Sequence, residues 1–240
     1  MAQQVGHSLV EPKGSLVPLV EDGDWCARMQ GLSLRNIAVK LINQKNKTVF
    51  HDFGELLFTH FGLSGPTILS SSAHMKTGDT YRISIDLKPA LEDQKLDQRI
   101  LRDLEQYQNR TIENALQDLY PKTMIPVMVE RAGIPVDTKA NSVTKQQRRR
   151  LLELTKSFDV CIAGTRPVAE AIVTAGGIKT KEVDPKTMES KLIEGLYFAG
   201  EILDLDAYTG GFNLQIAWST GFAAGVASGS RNYEECEAVI

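Results

Sequence analysis

Cysteine is scarce in this chain of 240 residues, and its three copies, Cys26, Cys161 and Cys236, lie far apart. They share no CxxC or metal-ligand spacing, which argues against a disulfide framework or a zinc site and leaves reduced thiols of a cytoplasmic protein as the reading. Long apolar runs are missing as well. Nowhere do about twenty apolar residues follow one another, as a bilayer span requires, and the first twenty residues lack the basic start and apolar stretch of a secretory leader. Charge of one sign is not in excess: 27 Lys and Arg stand against 30 Asp and Glu, a formal net charge of -3. That is too weak a field to recruit nucleic acid or an anionic membrane by itself, so neither is an expected partner. The chain also lacks internal repeats and low-complexity segments.

What is present is an ordinary globular composition, 42% hydrophobic and 24% charged, enough to bury the cores of two or three sub-domains. Ser33–Ile42 and Thr80–Leu87 alternate apolar with polar residues, the period of half-buried antiparallel strands. Asn43–Lys47 is rich in turn formers and predicts a hairpin connection to Val49-Phe50. Ser64-Gly65-Pro66 offers a cap and a first-turn proline to a helix through Thr67-Ile68-Leu69.

From Glu92 to Phe158 the period changes to about 3.6. Leu96, Ile100, Leu101 and Leu104 fall on one face of a helix; Asp97, Arg99, Arg102 and Asp103 face away. Further helix starts are marked by Thr111, by Pro121 and by Thr144, whose partner Gln147 stands at capping-box distance. Gly133, with Pro135 beyond it, closes the preceding helix. The run Lys145–Arg150 could be a nucleic-acid patch, but a solvated helix face accounts for it with less.

After Phe158 come short apolar runs separated by glycines: Val160–Gly164, Ala171–Gly177 and Gly195–Glu201. Leu196–Ala199 reads as a buried strand ending in Gly200-Glu201, where ligands meet open α/β sheets. Gly200 would admit a bulky group and Glu201 would accept hydrogen bonds from a polyol. Gly210-Gly211 then leads through Phe212, Asn213 and Leu214 into a helix, with unpaired amides at its start that suit an anion or an electron-rich ring edge. On the double glycine alone, a loop that merely turns the chain into a helix competes with this reading.

Three segments in order, IVTAGG, GLYFAGE and TGGFNLQIAWSTGFAAG, resemble the C-terminal flavin-binding part of the fumarate reductase and ketosteroid dehydrogenase class. The run from Gly164 to Gly225, with GELLFTHFGLSGP earlier, is more closely similar to the HI0933-like family of bacterial flavoproteins, some of which are BaiN-type NAD(P)/FAD-dependent oxidoreductases. The similarity extends from about Gly6 to Gly229.

The resemblance implies an α+β fold: an antiparallel β-barrel-like insert with a small helical bundle, plus the C-terminal part of a Rossmann-like FAD-binding domain. The expected divisions are 1–13, a remnant of the first FAD-domain segment; 14–90, the barrel; 91–157, the helical bundle; 158–175, return strands to the barrel; and 176–240, the FAD-domain part. It further implies FAD as cofactor and NAD(P)H as reductant, with hydride passing to an activated C=C bond of a small-molecule substrate. By position, Gly176 and Gly177 match a glycine pair near the flavin ring, Gly200 and Glu201 the ribityl contact, and Gly210, Gly211, Phe212, Asn213 and Leu214 the loop and helix start beside the ring.

Thr59–Pro66 matches a motif bordering the flavin cleft. His60 is its one side chain with a near-neutral reference pKa and hence the candidate proton donor, against the alternative that it bonds the barrel backbone. His7, His51 and His74 read as structural or surface residues, and Arg166 as either an anion ligand or half of an ion pair.

The family's opening GxGxxG turn and ribose-binding acid have no counterpart here. The expectation is a truncated product, an isolated domain or one piece of a split protein. FAD binding would then be impaired or absent, with self-association or pairing with a missing N-terminal half as the expected partnerships. A folded interaction module without redox chemistry is the other class of function.

Overall fold

The computed structural model describes residues 1–237, with side chains described as far as Ser230; Cys236 therefore lies outside the described side chains. In chain order the elements are β1 (Leu9–Ser15), β2 (Leu19–Glu21), α1 (Trp25–Arg28), β3 (Ser33–Asn43), β4 (Thr48–Phe58), β5 (Gly62–Ser64), α2 (Pro66–Ser72), β6 (Tyr81–Asp86), α3 (Asp93–Gln106), α4 (Ile112–Ala115), α5 (Ile125–Arg131), α6 (Lys145–Lys156), β7 (Phe158–Thr165), β8 (Val173–Ile178) and α7 (Phe212–Glu237), with short 3-10 turns between. The chain divides into two compact units. One is Pro18–Thr165; the other joins Met1–Val17 to Arg166–Ile240.

The continuous unit is an antiparallel barrel closed in the order β2-β5-β4-β3-β6-β7. This bears out the α+β expectation. Closure removes the unpaired edges that an open sheet would present. The hairpin of β3 and β4 turns at Asn43–Lys47, where Asn43 Oδ1 accepts the amides of Lys45 and Lys47 and Asn46 takes φ 57°.

The alternation of β3 slips once. Leu34 is buried, then Ile37, Val39 and Leu41; the register against β4 shifts between Leu34 and Ile37, with Asn36 at φ 55°. This bulge lets residues three apart point inward together and bends the strand around the barrel. The interior is filled by Leu41, Leu56, Phe58, Ile83, Ile85 and Phe158, with Phe58 and Phe158 meeting edge to face at 6.3 Å.

The helical layer belongs to the same unit and shares its core. On α3, Leu96, Ile100 and Leu104 are buried as expected, but Leu101 is exposed and Asp103 is buried. The carboxylate can go inside because Arg99 Nε meets both of its oxygens, at 2.7 and 3.0 Å. The helix expected at Pro121 begins at Ile125: the Pro121 carbonyl instead accepts the Met124 and Ile125 amides in a preceding turn. Thr144 and Gln147 form the full capping box, and Gly133 follows α5 at φ 68°.

In the discontinuous unit β1 pairs antiparallel with β8. Of the segment 158–175, Phe158–Thr165 completes the barrel while Val173 onward joins β1. Leu196–Ala199 is not a strand, contrary to expectation: Tyr197 makes only an isolated bridge to Glu189, because no continuous ladder partner runs beside it. A small core of Ile178, Val183, Met188, Phe198 and Leu203 holds this unit. No helix among the described residues is long and apolar enough to cross a membrane.

Candidate functional site

A cavity of the discontinuous unit is lined by the β8 entry, the 3-10 turn Gly200–Ile202, the loop Leu205–Gly211 and the first turns of α7. Gly200, Glu201, Gly210, Gly211, Asn213 and Leu214, all singled out from sequence, meet here. Leu16, Ile172 and Ile216 supply apolar walls.

The mouth of α7 is built by glycine. Gly210 and Gly211 take φ 109° and 90°, and a side chain on Gly211 would meet no atom within 4 Å, so the backbone there faces open space. The first helical bond runs from the Gln215 amide to the Gly211 carbonyl. The amides of Phe212, Asn213 and Leu214 form the first turn of this long helix and so have no i−4 partner within it, which sets backbone donors at its positive end.

Asn213 lines the cavity and also braces its loop. Its Oδ1 accepts the Ala207 amide and its Nδ2 donates to the Ala207 carbonyl, each at 2.8 Å, so the side chain pins the loop instead of facing the cavity with its full hydrogen-bonding capacity. Glu201 is oriented by Thr174, whose amide and hydroxyl both donate to Oε1, at 2.6 and 3.1 Å. Oε2 remains for another donor. The Gly200 amide donates to Thr220 Oγ1 at 2.9 Å, tying the turn to α7.

Gly176, Gly177 and Phe212 are outside the lining. The two glycines are buried at φ 96° and 123°, and a Cβ would fall 2.5 Å from the Glu11 carbonyl oxygen and 2.4 Å from that of Ile202. Close backbone packing explains both. Phe212 is 59% exposed. His60 lies in the β4–β5 turn of the other unit, exposed, with its ring edge-to-face on Phe61 at 5.0 Å. Arg166 forks onto Glu170 at 2.6 and 2.9 Å.

One constellation escaped sequence reading. His7 Nδ1 meets Glu182 Oε2 at 3.0 Å while His7 Nε2 meets Ser190 Oγ at 2.8 Å, the connectivity of a Ser-His-acid triad. Its surroundings make it structural. His7 and Ser190 are 3% and 7% exposed, and Ser190 Oγ already accepts the amides of Leu192 and Ile193. Bonds from Ser8, reinforced by His7, hold the Glu182 carboxyl below its ordinary pKa. The residues are 175 and 183 positions apart, and no spacing rule reaches that far.

Cys26 is buried and Cys161 exposed, neither in a disulfide, and burial pushes the Cys26 thiol up. Among the described residues no group of His, Cys, Asp and Glu could hold a metal.

Residues 13–173 match the family model described as the HI0933-like protein barrel and H2TH domain. The chain belongs to the HI0933-like family. Within and around it, the chain is 31% identical over 225 residues to a ribosomal RNA dihydrouridine synthase of Haemophilus influenzae, covering 93% of this chain and 53% of that protein. It is 32% identical over 228 residues to the Escherichia coli protein of the same name, covering 93% and 54%. It is also 30% identical over 235 residues to a 3-dehydro-bile acid delta(4,6)-reductase of Clostridium scindens, covering 96% and 57%. The chain thus spans about half the length of these relatives.

Proposed function

We propose that the chain contributes the ring-proximal wall of a flavin site in a reductase that adds hydride to a C=C bond conjugated with a carbonyl. The observation that carries this reading is the meeting of the first-turn α7 residues, the side-chain-free Gly210-Gly211 backbone and Glu201 around one cavity. The relatives' names share a chemistry. A dihydrouridine is a uridine whose C5=C6 bond, conjugated to the C4 carbonyl, has taken up two hydrogens, and a delta(4,6)-reductase removes double bonds conjugated to a 3-oxo group.

The residues suit a flavin. The helix start, equivalent to roughly half a positive charge, complements the N1/O2 edge that gains charge on reduction. Glu201 Oε2 would accept ribityl hydroxyls; in support, Oε1 is held by Thr174. Bound FAD would supply the hydride, drawn from NAD(P)H. The protein's share is to orient the ring, to keep water from it with Leu16, Ile172 and Leu214, and to hold the loop in place through Asn213.

Two of the three relatives act by name on ribosomal RNA, so uracil in RNA is the acceptor we favour over a steroid enone. Titration of FMN and of FAD into the purified chain tests the ring site. Both should quench with affinities within about threefold, since both carry the same ring and ribityl chain, and Gly211→Asp should abolish quenching by placing a carboxylate at the helix mouth. Absence of quenching at millimolar flavin, or an unaffected Gly211→Asp, would overturn the reading.

A second reading, an interaction module, has its own support. Leu214, Trp218, Phe222 and Val226 recur every four residues on α7 and are 58%, 66%, 74% and 52% exposed. Such a stripe seldom stays solvated. It suits pairing with a nucleotide-binding half or with a second copy. Light scattering decides for the chain alone: a dimer that Trp218→Glu returns to monomer supports self-association.

A further inference from the structure

The near-neutral total charge averages over unlike parts. Pro18–Thr165 carries 20 Lys and Arg against 18 Asp and Glu, and the rest of the chain 7 against 12. Within the first unit, cations concentrate further: between Asp137 and Glu153 the sequence holds Lys139, Lys145, Arg148, Arg149 and Arg150 and no carboxylate.

The structure sorts this run by role. Arg148 turns inward and forks onto Asp97 at 2.9 and 3.3 Å, while Gln147 closes the capping box. Lys145, Gln146, Arg149 and Arg150 are exposed, at helix positions i, i+1, i+4 and i+5, on the side opposite buried Leu151 and Thr155. Arg149 has Glu153 at 3.0 Å, but both are largely exposed, and such a pair holds its cation only loosely.

Beside this face runs a groove between the end of α5 and the start of α6, lined by Arg131, Gln146 and Arg150 among others. Glu130, its one carboxylate, is taken by Arg28 at 2.7 Å. Arg131 stacks on the Phe158 ring at 4.2 Å and donates to the Asp159 carbonyl; its Nη1 is buried and has no partner among the described residues, so Arg131 adds positive charge beneath the groove and no exposed donor. Arg150 is fixed in turn by its bond to the Arg131 carbonyl, 3.2 Å. Forked donors held on a rigid helix suit phosphate oxygens. The face carries no large apolar side chain to enter a bilayer.

We propose that the outward face of α6, with Lys145, Arg149, Arg150 and the adjoining Arg131 groove, docks the phosphate backbone of a structured RNA. This deepens the reading of an RNA uracil as acceptor and rests on it for the choice of RNA. It places backbone contact on the helical layer, where it positions the nucleic acid without reading bases.

The test uses the whole chain, without flavin, and a fluorescein-labelled RNA hairpin followed by anisotropy. The wild type should bind at about 50 mM salt and lose most of that affinity by about 200 mM. Lys145→Gln/Arg149→Gln/Arg150→Gln should bind at least about tenfold more weakly, with a salt slope smaller by about three. Circular dichroism monitors the fold, and Lys45→Gln/Lys47→Gln, in the β3–β4 turn, should bind as the wild type does. Failure of the wild type to bind RNA at low salt, or a triple variant that binds equally well with the same slope, would overturn the proposal. The FMN titration is independent of both outcomes, so loss of the docking surface and loss of the flavin reading are told apart.

Discussion

Asn213 holds the backbone of Ala207 by both of its polar groups, giving one hydrogen bond and receiving another at 2.8 Å. A residue in the first turn of α7 thereby fixes the loop that forms one wall of the cavity. Asn213→Ala should lower stability by about 1–3 kcal/mol. Asn213→Asp keeps the acceptor but turns a carboxylate towards the Ala207 carbonyl, and should cost at least as much at neutral pH. Urea denaturation of the three proteins checks the order; an aspartate variant as stable as the wild type would contradict the reciprocal pair.

The glycines of the unit are of two kinds, and substitution should separate them. Gly176→Ala and Gly177→Ala force a Cβ into a carbonyl oxygen on top of an unfavourable φ and should cost more than about 3 kcal/mol or prevent folding. Gly211→Ala meets open space, so only backbone strain opposes it, about 1–2 kcal/mol. Thermal unfolding of the soluble variants distinguishes them.

Glu182 ties acid sensitivity to the His7 cluster. Its pKa is depressed in the folded protein by bonds from Ser8 and His7, so its stabilising contribution is complete above the ordinary carboxylate pKa and is lost as pH falls through the lower folded value. Glu182→Gln should therefore melt below the wild type at neutral pH, and the gap should close under acid. A gap of constant size across a calorimetric pH series would show that the carboxylate charge is not responsible.

On α3, neighbouring aliphatic residues should differ sharply. Ile100 is fully buried whereas Leu101 is 37% exposed. Ile100→Ala should cost about 2–5 kcal/mol, and Leu101→Ala under about 1. Equal losses by chemical denaturation would mean that the helix is rotated from the position described.

What could be read in advance was local. The capping box of Thr144 and Gln147, the Gly65-Pro66 helix start and the alternation of β3 depend on residues within a turn or two of one another. Leu196–Ala199 has the composition of a strand but lacks a continuous partner, and composition cannot supply one. Periodicity placed Asp103 outward because it ranks residues by polarity, without knowing that Arg99, itself still part-exposed, would pair with the buried carboxylate. The cavity's glycines and Glu201 were found because they are consecutive in sequence; Thr174, which aims Glu201 from 27 positions away, was not.

The discontinuous unit joins residues 1–17, before the barrel, to the chain from Arg166 onward. A ribosome delivering this chain at about 5–20 residues per second completes the barrel while β1 and His7 still wait for β8, Glu182 and Ser190. The order of assembly is thus written into the topology: the inserted unit can mature first, and the wall that bears the cavity closes only after the chain has returned to the strand that precedes the barrel.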